Sequence, residues 1–138
     1  ALADRGGRLL GIEADRGAVA DARENLRRAP VDHERVHLHE GDVDAALAAT
    51  EIHGQVDWSS AGVVVDPPRT GLGKRVTARL GELAPPVIVY LSCDPATLAR
   101  DCQALTARGY RIARVRPVPM FPQTSHLESL VLLVRDPS

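Results

Sequence analysis

Short apolar runs alternate along the chain with segments in which apolar residues recur at helical spacing. The runs predict buried or half-buried strands, and the helical spacing predicts amphipathic helices between them. The predicted strands cover residues 8–13, 35–40, 61–65, 86–92, 110–117 and 127–135. The predicted helices cover residues 16–28, 43–50, 73–83 and the segment that runs from Pro95 towards Gly109. This alternation predicts an α/β fold with a mainly parallel sheet, whose last two strands form an antiparallel pair.

Two of the predicted helices have clear start signals. Asp15 and Asp94 each precede a helical segment and are suitable N-caps. Pro95 then occupies the first helical position of the later helix, and Gly109 is placed to end it. The apolar stripe of that helix consists of Leu98, Cys102 and Leu105.

Composition and cysteine content exclude several classes of protein. Of the 138 residues, 44% are apolar and 25% are charged, as in an ordinary soluble domain. No apolar run approaches the ~20 residues of a membrane-spanning helix, and the first residues do not resemble a signal peptide. The two cysteines form no CxxC pair, which argues against a disulfide scaffold and against a zinc site. We therefore expect a cytoplasmic protein with neither a metal centre nor a membrane anchor.

The charge of the chain limits how it could bind nucleic acid. The formal net charge is −1, whereas affinity for RNA depends largely on cationic contacts to phosphates. Any RNA affinity must then come from another domain or from a local basic patch. The residues that could form such a patch are Arg100, Arg108, Arg111, Arg114 and Arg116. An arginine-rich, solvated surface is the other interpretation.

Three segments carry residues suited to chemistry at the strand ends where ligands bind in open α/β sheets. The first, residues 66–72, reads Asp-Pro-Pro-Arg-Thr-Gly-Leu and follows a buried strand. Its prolines give a stiff loop with few backbone donors. Such a loop could hold a planar base, although an ordinary proline-rich turn has the same composition.

The second segment places Cys93 between a strand end and the start of a capped helix. The positive end of a helix favours the thiolate form of a cysteine, which is the nucleophilic form. Cys93 is therefore a candidate nucleophile, with a structural role as the alternative. Cys102 lies on an apolar helix stripe, and we interpret it as a core residue.

The third segment, residues 120–129, leads from a proline-containing loop into the last strand. His126 and Glu128 lie two residues apart and hence on one face of that strand. A carboxylate at the start of an otherwise apolar strand is costly to bury without a purpose, and a general base is one purpose. An exposed surface acid is the alternative for Glu128, and we expect His126 to orient the loop rather than to catalyse.

Glu13 resembles the acidic residue that binds ribose hydroxyls in nucleoside-binding α/β folds, because it ends an apolar strand and precedes a helix. In such folds a first strand and a glycine-rich turn lie ~20 residues upstream of this acid. Glu13 is too close to Ala1 for both to be present, and Gly6 and Gly7 precede a strand rather than follow one. We therefore expect the chain to be a fragment truncated at its N-terminus.

Together these motifs resemble the bacterial family of S-adenosyl-L-methionine (AdoMet)-dependent RNA uracil-C5 methyltransferases. The resemblance rests on Asp-Pro-Pro-Arg at 66–69, Ser-Cys-Asp-Pro-Ala-Thr-Leu-Ala-Arg-Asp at 92–101 and Met-Phe-Pro-Gln-Thr-Ser-His-Leu-Glu at 120–128. It covers nearly the whole chain and implies a Rossmann-like class I methyltransferase fold. Residues 1–138 would form the C-terminal part of the catalytic domain. Many family members have Asn where this chain has Asp94, a mild departure at a helix cap.

The resemblance also implies a mechanism and a role for each site residue. Cys93 would attack uracil C6, and Glu128 would remove the C5 proton after methylation. Asp66 would lie beside the target base and the methyl donor, with Arg69 and His126 as further substrate contacts. Glu13 would bind the ribose of AdoMet, and Asp42 would contact its adenine. The implied substrate is a uridine of ribosomal or transfer RNA, flipped out of its stack, with ribosomal RNA favoured.

The family's glycine-rich AdoMet loop and its upstream RNA-binding region are not in the chain. Without the central first strand, the strands at 8–13 and 61–65 would have unpaired backbone groups. We therefore expect a longer polypeptide, a dimer or swapped elements, or instability of the isolated chain. Whether the chain alone binds AdoMet or is active is left open.

Three alternatives stay open at this point. An amino methyltransferase usually has an aromatic residue where this chain has Arg69, and it would leave Cys93 without a role. An RNA cytosine-C5 methyltransferase would have a cysteine where this chain has Pro67 and Pro68. A non-catalytic fragment that binds RNA or a protein is the third. The presence of Cys93, Asp66 and Glu128 together argues against it for the parent enzyme, whereas the absent cofactor loop argues for it in this fragment.

Overall fold

The structure is a computed structural model that describes residues 7–118 and 128–136. The chain divides into two compact units, Ala1–Val56 and Asp57–Ser138. Within the described residues, each predicted strand and the helices at 16–28 and 73–83 begin and end within about one residue of the predicted bounds. Every helix in this part of the chain is too short or too polar to span a bilayer.

The first unit is built on two parallel strands. Strand β1 (Leu9–Glu13) pairs with β2 (Val36–Glu40) along its whole length, so that Glu13 lies beside Glu40 at the carboxyl end of both strands. Helix α1 (Arg16–Arg28) and a 3₁₀ turn (His33–Arg35) connect them. Helices α2 (Val43–Ala48) and α3 (Thr50–His53) follow. The buried apolar residues of this unit are Val19, Ala46, Leu47 and Ile52.

The prediction of one helix over 43–50 was wrong in its bounds. Ala49 has an extended backbone (φ −77°, ψ 127°), which ends α2 and precedes the short helix α3. The break buries Ile52 together with Ala46 and Leu47. Burial of these three apolar side chains outweighs the high helix propensity of the alanine-rich stretch.

The second unit is a four-stranded mixed sheet with two helices. Its elements are β3 (Gly62–Val65), α4 (Gly73–Leu83), β4 (Val87–Ser92), α5 (Pro95–Thr106), β5 (Tyr110–Val118) and β6 (Glu128–Arg135). The strand order is β3-β4-β6-β5. Strands β3 and β4 are parallel, whereas β6 is antiparallel to both β4 and β5. The predicted antiparallel pairing of the last two strands is confirmed.

The core of this unit lies on one face of the central strand β4. Ile88, Tyr90 and Ser92 alternate along that strand as buried residues, while the residues between them are half-buried. Helix α5 contributes the predicted stripe of Leu98, Cys102 and Leu105. Sequence patterning predicted burial on both faces of β4. The alternation shows instead that one face is the more deeply covered.

The helix caps are as predicted, and they fix how each strand leads into its helix. Asp15 Oδ1 accepts a hydrogen bond from Ala18 N (2.8 Å), and Asp94 Oδ1 accepts one from Thr97 N (2.8 Å). Pro95 is the first residue of α5. The helix ends at Thr106, and the chain turns through Gly109, whose φ of +89° is a conformation that glycine favours.

Candidate active site

Three predicted site residues lie at one edge of the four-stranded sheet. Val65 pairs with Tyr90 in the parallel ladder, so Asp66 follows the carboxyl end of β3 beside the end of β4. Ser92 pairs with Ser129 in the antiparallel ladder between β4 and β6. Extending that register by one residue places Cys93 opposite Glu128. Asp66, Cys93 and Glu128 therefore share one edge of the sheet, although they are far apart in the sequence.

A tight turn presents Cys93 in front of helix α5. The hydroxyl of Ser92 accepts a hydrogen bond from Asp94 N (3.1 Å) and donates one to Asp94 O (3.0 Å). Both bonds span Cys93, which lies between these two residues. Ser92 is buried and Cys93 is exposed. The buried Ser92 thus fixes the backbone around Cys93, and the exposed thiol lies at the positive end of a helix, where a ligand can reach it.

Asp94 is a permanently charged cap at neutral pH. Hydrogen bonds from Thr97, first from its backbone N–H and then from its hydroxyl, hold the pKa of the Asp94 carboxyl below its usual range. A charged cap accepts the backbone N–H bond strongly. An asparagine at this position could make the same bond without the charge, so the start of α5 does not depend on which of the two residues is present.

The loop at 66–72 is tied to α5 by its own backbone. Gly71 N donates to Pro68 O (2.8 Å) and closes the turn after the two prolines. Arg69 O accepts a hydrogen bond from Thr97 Oγ1 (3.0 Å), and Thr70 O accepts one from Arg100 Nη2 (2.8 Å). Asp66 and Arg69 are exposed. The loop is therefore fixed through its carbonyl groups, while the side chains of Asp66 and Arg69 remain accessible.

A buried carboxylate, Asp101, lies beneath this loop. It is 1% exposed, and its Oδ2 accepts hydrogen bonds from Leu72 N (2.7 Å) and from the Tyr90 hydroxyl (2.8 Å). Its Oδ1 accepts from Nε (3.0 Å) and Nη2 (2.8 Å) of Arg100. Burial, together with the hydrogen bond to Asp101, raises the pKa of Tyr90 well above its usual range. The phenol therefore stays protonated and remains a donor.

Sequence reasoning did not single out Asp101. A signal was available, because Asp101 occupies the helical position between Leu98 and Leu105 that the apolar stripe should fill. An acid at such a position must be either surface-exposed or paired inside the protein. In this protein it is buried and has four donors.

Glu128 is the first residue of β6 and is half-buried, paired with Val118 of β5. Its position at the start of an apolar strand is as predicted. His126, the other candidate in that segment, lies outside the described residues.

Glu13 and Asp42 lie at the carboxyl end of the two-stranded sheet of the first unit. Glu13 Oε1 accepts a hydrogen bond from Asp15 N (2.8 Å), and Asp42 Oδ1 caps α2 by accepting from Ala45 N (3.0 Å). Both residues are exposed. Two exposed carboxylates at this edge are acceptors suited to ribose hydroxyls and to an adenine amino group.

A comparison with known families decides the relationship. The family model described as tRNA (Uracil-5-)-methyltransferase matches residues 1–136. The chain belongs to the tRNA (uracil-5-)-methyltransferase family.

Individual relatives support the same assignment. An uncharacterized RNA methyltransferase of Streptomyces avermitilis is 42% identical over 136 residues, which are 96% of this chain and 29% of the relative. The 23S rRNA (uracil(1939)-C(5))-methyltransferase RlmD of Aeromonas salmonicida is 37% identical over 134 residues, 95% of this chain and 28% of that protein. The chain thus spans less than a third of the length of these relatives.

A solved structure confirms the fold of this family member. The crystal structure of Pyrococcus abyssi tRNA (uracil-54, C5)-methyltransferase in complex with S-adenosyl-L-homocysteine matches with a TM-score of 0.76 at 34% identity. The match covers 96% of this chain and 30% of that protein. The predicted α/β methyltransferase fold is confirmed.

The predicted basic patch is only partly available to a ligand. Arg100 is engaged with Asp101 and Thr70, and Arg108 donates from Nη1 to Ala104 O (2.8 Å). Arg111 Nε pairs with Asp136 Oδ1 at 3.1 Å on the surface. Arg114 and Arg116 are exposed on β5. A phosphate contact by this patch stays a prediction. Arg114 and Arg116 are its best candidates, because both side chains are exposed.

Two other observations bear on the chemistry of this family member. Among residues 7–118 and 128–136, no group of three or more His, Cys, Asp or Glu side chains is arranged to hold a metal ion. Cys102 is buried, and burial, with a smaller effect from Asp101, raises the pKa of its thiol. This agrees with its interpretation as a core residue.

Proposed function

We propose that the protein transfers a methyl group from AdoMet to C5 of a uridine in RNA, through a covalent bond between Cys93 and C6 of the base. The observation that carries this proposal is the convergence of Cys93, Asp66 and Glu128 at one edge of the sheet. Family membership supports the reaction class. The names of the Aeromonas and Pyrococcus relatives support RNA uracil as the substrate.

Cys93 supplies the nucleophile. Uracil C5 is a poor nucleophile, and addition of the Cys93 thiolate to C6 breaks the C5–C6 π bond and moves its electron pair towards C5 and O4. AdoMet supplies an electrophilic methyl group, which C5 takes while the neutral thioether S-adenosylhomocysteine leaves. The exposed position of Cys93 at the start of α5 suits this role, because the base must approach the sulfur from outside the core.

Glu128 completes the reaction. After methylation C5 carries both the new methyl group and its original hydrogen. The Glu128 carboxylate accepts that hydrogen as a proton, the C5–C6 double bond re-forms, and the C6–S bond breaks to release the Cys93 thiolate. The pairing of Ser92 with Ser129, the residues next to Cys93 and Glu128, supports this assignment, because it brings the two candidates to the same end of neighbouring strands.

The remaining site residues hold the two substrates. Asp66 would lie beside the base and the methyl donor, and Arg69 and His126 would contact the RNA. Glu13 and Asp42 fit AdoMet in their chemistry, because both are exposed carboxylates at a strand end and can accept from ribose hydroxyls and the adenine amino group. A cytoplasmic location follows from this function.

We propose ribosomal RNA rather than transfer RNA as the substrate. Two curated relatives that match the chain, from Aeromonas salmonicida and Shewanella piezotolerans, are named for uracil 1939 of 23S rRNA, and this supports the choice. A comparison of unmodified ribosomal and transfer RNA as methyl acceptors for the full-length protein tests this choice. Preferential labelling of transfer RNA would contradict it.

The reaction itself is tested by methyl transfer from isotopically labelled AdoMet to unmodified RNA, with nucleoside analysis of the product. We expect 5-methyluridine from the wild-type protein and none from Cys93→Ala. Glu128→Gln should accumulate a covalent protein–RNA species that already carries the methyl group, because only the proton removal is blocked.

Cys102→Ala is the matched control, since it removes a thiol that lies on the helix after Cys93 but is buried and has no proposed role. It should retain methyl transfer. Methylation at a base nitrogen or at cytosine C5 in the product would refute the proposed reaction, and so would full activity of Cys93→Ala.

A further inference from the structure

The carboxylate of Asp101 connects the two halves of the candidate active site. Its Oδ2 accepts from Leu72 N (2.7 Å), at the end of the loop that carries Asp66 and Arg69. The same oxygen accepts from the hydroxyl of Tyr90 (2.8 Å), on the strand that leads into Cys93. Asp101 itself belongs to α5, the helix that begins just after Cys93. One buried group thus contacts the loop, the strand and the helix.

Two neighbours extend this connection along the loop. Arg100 donates two hydrogen bonds to Asp101 Oδ1 and a third to Thr70 O. Thr97 Oγ1 donates to Arg69 O (3.0 Å). Three consecutive loop residues, 69–71, are therefore held against α5, the last of them by close packing rather than by a side-chain hydrogen bond.

Gly71 shows how closely the loop approaches Asp101. Its φ is +76°, and a Cβ atom at this position would lie 2.4 Å from Asp101 Oδ2 and 2.6 Å from Arg100 Nη2. A side chain there would force the loop apart from the side chains of Asp101 and Arg100, whichever of them shifts. The glycine is required both by the backbone conformation and by the contact.

The four hydrogen bonds satisfy a buried charge that the proposed reaction does not use. An aspartate that is 1% exposed is costly unless it is fully paired. Packing alone would be served as well by an apolar side chain at this position of the stripe. The geometry favours a group that fixes position, because each bond is directional and the donors belong to the loop (Leu72), to β4 (Tyr90) and to α5 itself (Arg100).

We propose that Asp101 is a positioning residue that sets the location of Asp66 and Arg69 relative to Cys93. This inference rests on the proposed function for its catalytic consequence. The contacts by which Asp101 holds the loop at 66–72 against α5 and β4, called the clamp below, are a structural claim that stands without it. Loss of the Leu72 N contact would let the loop move, and a displacement of about 1 Å in a site of this kind costs on the order of 100-fold in rate.

Asp101→Asn in the full-length protein tests the proposal with two readouts. The neutral amide loses the charged pair with Arg100 in either orientation. Its NH₂ group then faces donors on one side or the other: Leu72 N and the Tyr90 hydroxyl, or the Arg100 guanidinium. Hydrogen exchange of the Leu72 and Gly71 amides should become faster. In single turnovers at saturating RNA and AdoMet, methyl transfer should slow by about 100-fold, while the apparent affinity for RNA changes by less than about 3-fold.

Cys102→Ala is the control for a merely structural role. This substitution disturbs the packing of the same buried face of α5 but removes none of the hydrogen bonds described between α5 and the loop. It should leave both exchange at Leu72 and the single-turnover rate near wild type. If Cys102→Ala slows methyl transfer as much as Asp101→Asn, the effect comes from general loosening of α5 and the proposal fails.

A second variant approaches the clamp from the other side. Gly71→Ala keeps the Asp101 carboxylate but forces it and the loop apart, and it should reproduce the loss of rate with little change in RNA affinity. It also replaces Asp101→Asn as the deciding variant if the latter does not fold. Wild-type rates in Gly71→Ala would overturn the proposal.

The exchange readout separates this inference from the proposed function. If the wild-type protein methylates no uridine, the proposed function fails, but faster exchange at Leu72 in Asp101→Asn and not in Cys102→Ala would still support the clamp. Unchanged exchange at Leu72 in both Asp101→Asn and Gly71→Ala would overturn the clamp whatever the activity.

Discussion

Replacing Tyr90 by phenylalanine measures how strongly the buried network stabilises the sheet unit. Tyr90 is 0% exposed, and its hydroxyl donates to a charged acceptor, Asp101 Oδ2, at 2.8 Å. A hydrogen bond to a charged group contributes about 1.5–3 kcal/mol. Asp101 keeps three other donors in the variant, so the carboxylate is not left unpaired. We expect the free energy of unfolding to fall by about 2 kcal/mol.

Tyr110 provides the matched comparison. It is also buried, and its hydroxyl donates to a neutral acceptor, Pro85 O, at 2.8 Å. Tyr110→Phe should therefore cost only about 0.5–1.5 kcal/mol. Urea unfolding of both variants, followed by a signal from the unit at 57–138, gives the two values. A cost for Tyr90→Phe equal to or below that for Tyr110→Phe would refute the view that Asp101 is a charged, strongly bonded acceptor.

Three further predictions concern pH and backbone conformation. The pKa of Asp94 is lowered in the folded state, so its stabilising effect is present above its unfolded pKa and is lost as pH falls through the lower folded value. In thermal melts, wild type should therefore lose stability relative to Asp94→Asn as the pH is lowered. Parallel stability curves for the two proteins would contradict this. The pKa of Tyr90 is raised in the folded state, so its contribution to stability is present below its unfolded pKa of about 10 and is lost as pH rises towards the higher folded value. Wild type should therefore lose more stability in alkali than Tyr90→Phe. Equal losses would show that ionisation of Tyr90 does not cause the alkaline loss of stability. Gly109→Ala should cost about 1–2 kcal/mol in urea unfolding, because φ is +89°. The cost comes from the backbone alone, since in the described part of the chain no atom beyond the two adjacent residues lies within 4 Å of the added carbon. An unchanged free energy of unfolding would contradict this.

Much of the fold could be predicted because local signals and long-range packing agree. The caps at Asp15 and Asp94, the stripe on α5 and the apolar run of β4 each point to the element that forms. The break at Ala49 could not be predicted from the sequence, since alanine favours the helix and only the burial of Ile52 ends it.

The candidate residues could be chosen from the sequence, whereas their proximity in the fold could not. Cys93, Asp66 and Glu128 could be chosen because each interrupts an apolar strand end with a reactive group. Their meeting at one edge depends on the strand order and on the antiparallel register of β6, which are tertiary properties. The contact between Leu72 N and Asp101 spans the fold in the same way, and residue type alone does not reveal it.

Covalent trapping tests the central claim most directly. RNA containing 5-fluorouridine carries fluorine where the C5 proton would be removed, so the adduct cannot be resolved after methyl transfer. Incubation of the full-length protein with this RNA and AdoMet, followed by proteolysis and mass mapping, should place a methylated nucleotide on the peptide that contains Cys93. An adduct that persists in Cys93→Ala, or one mapped to another residue, would contradict the account.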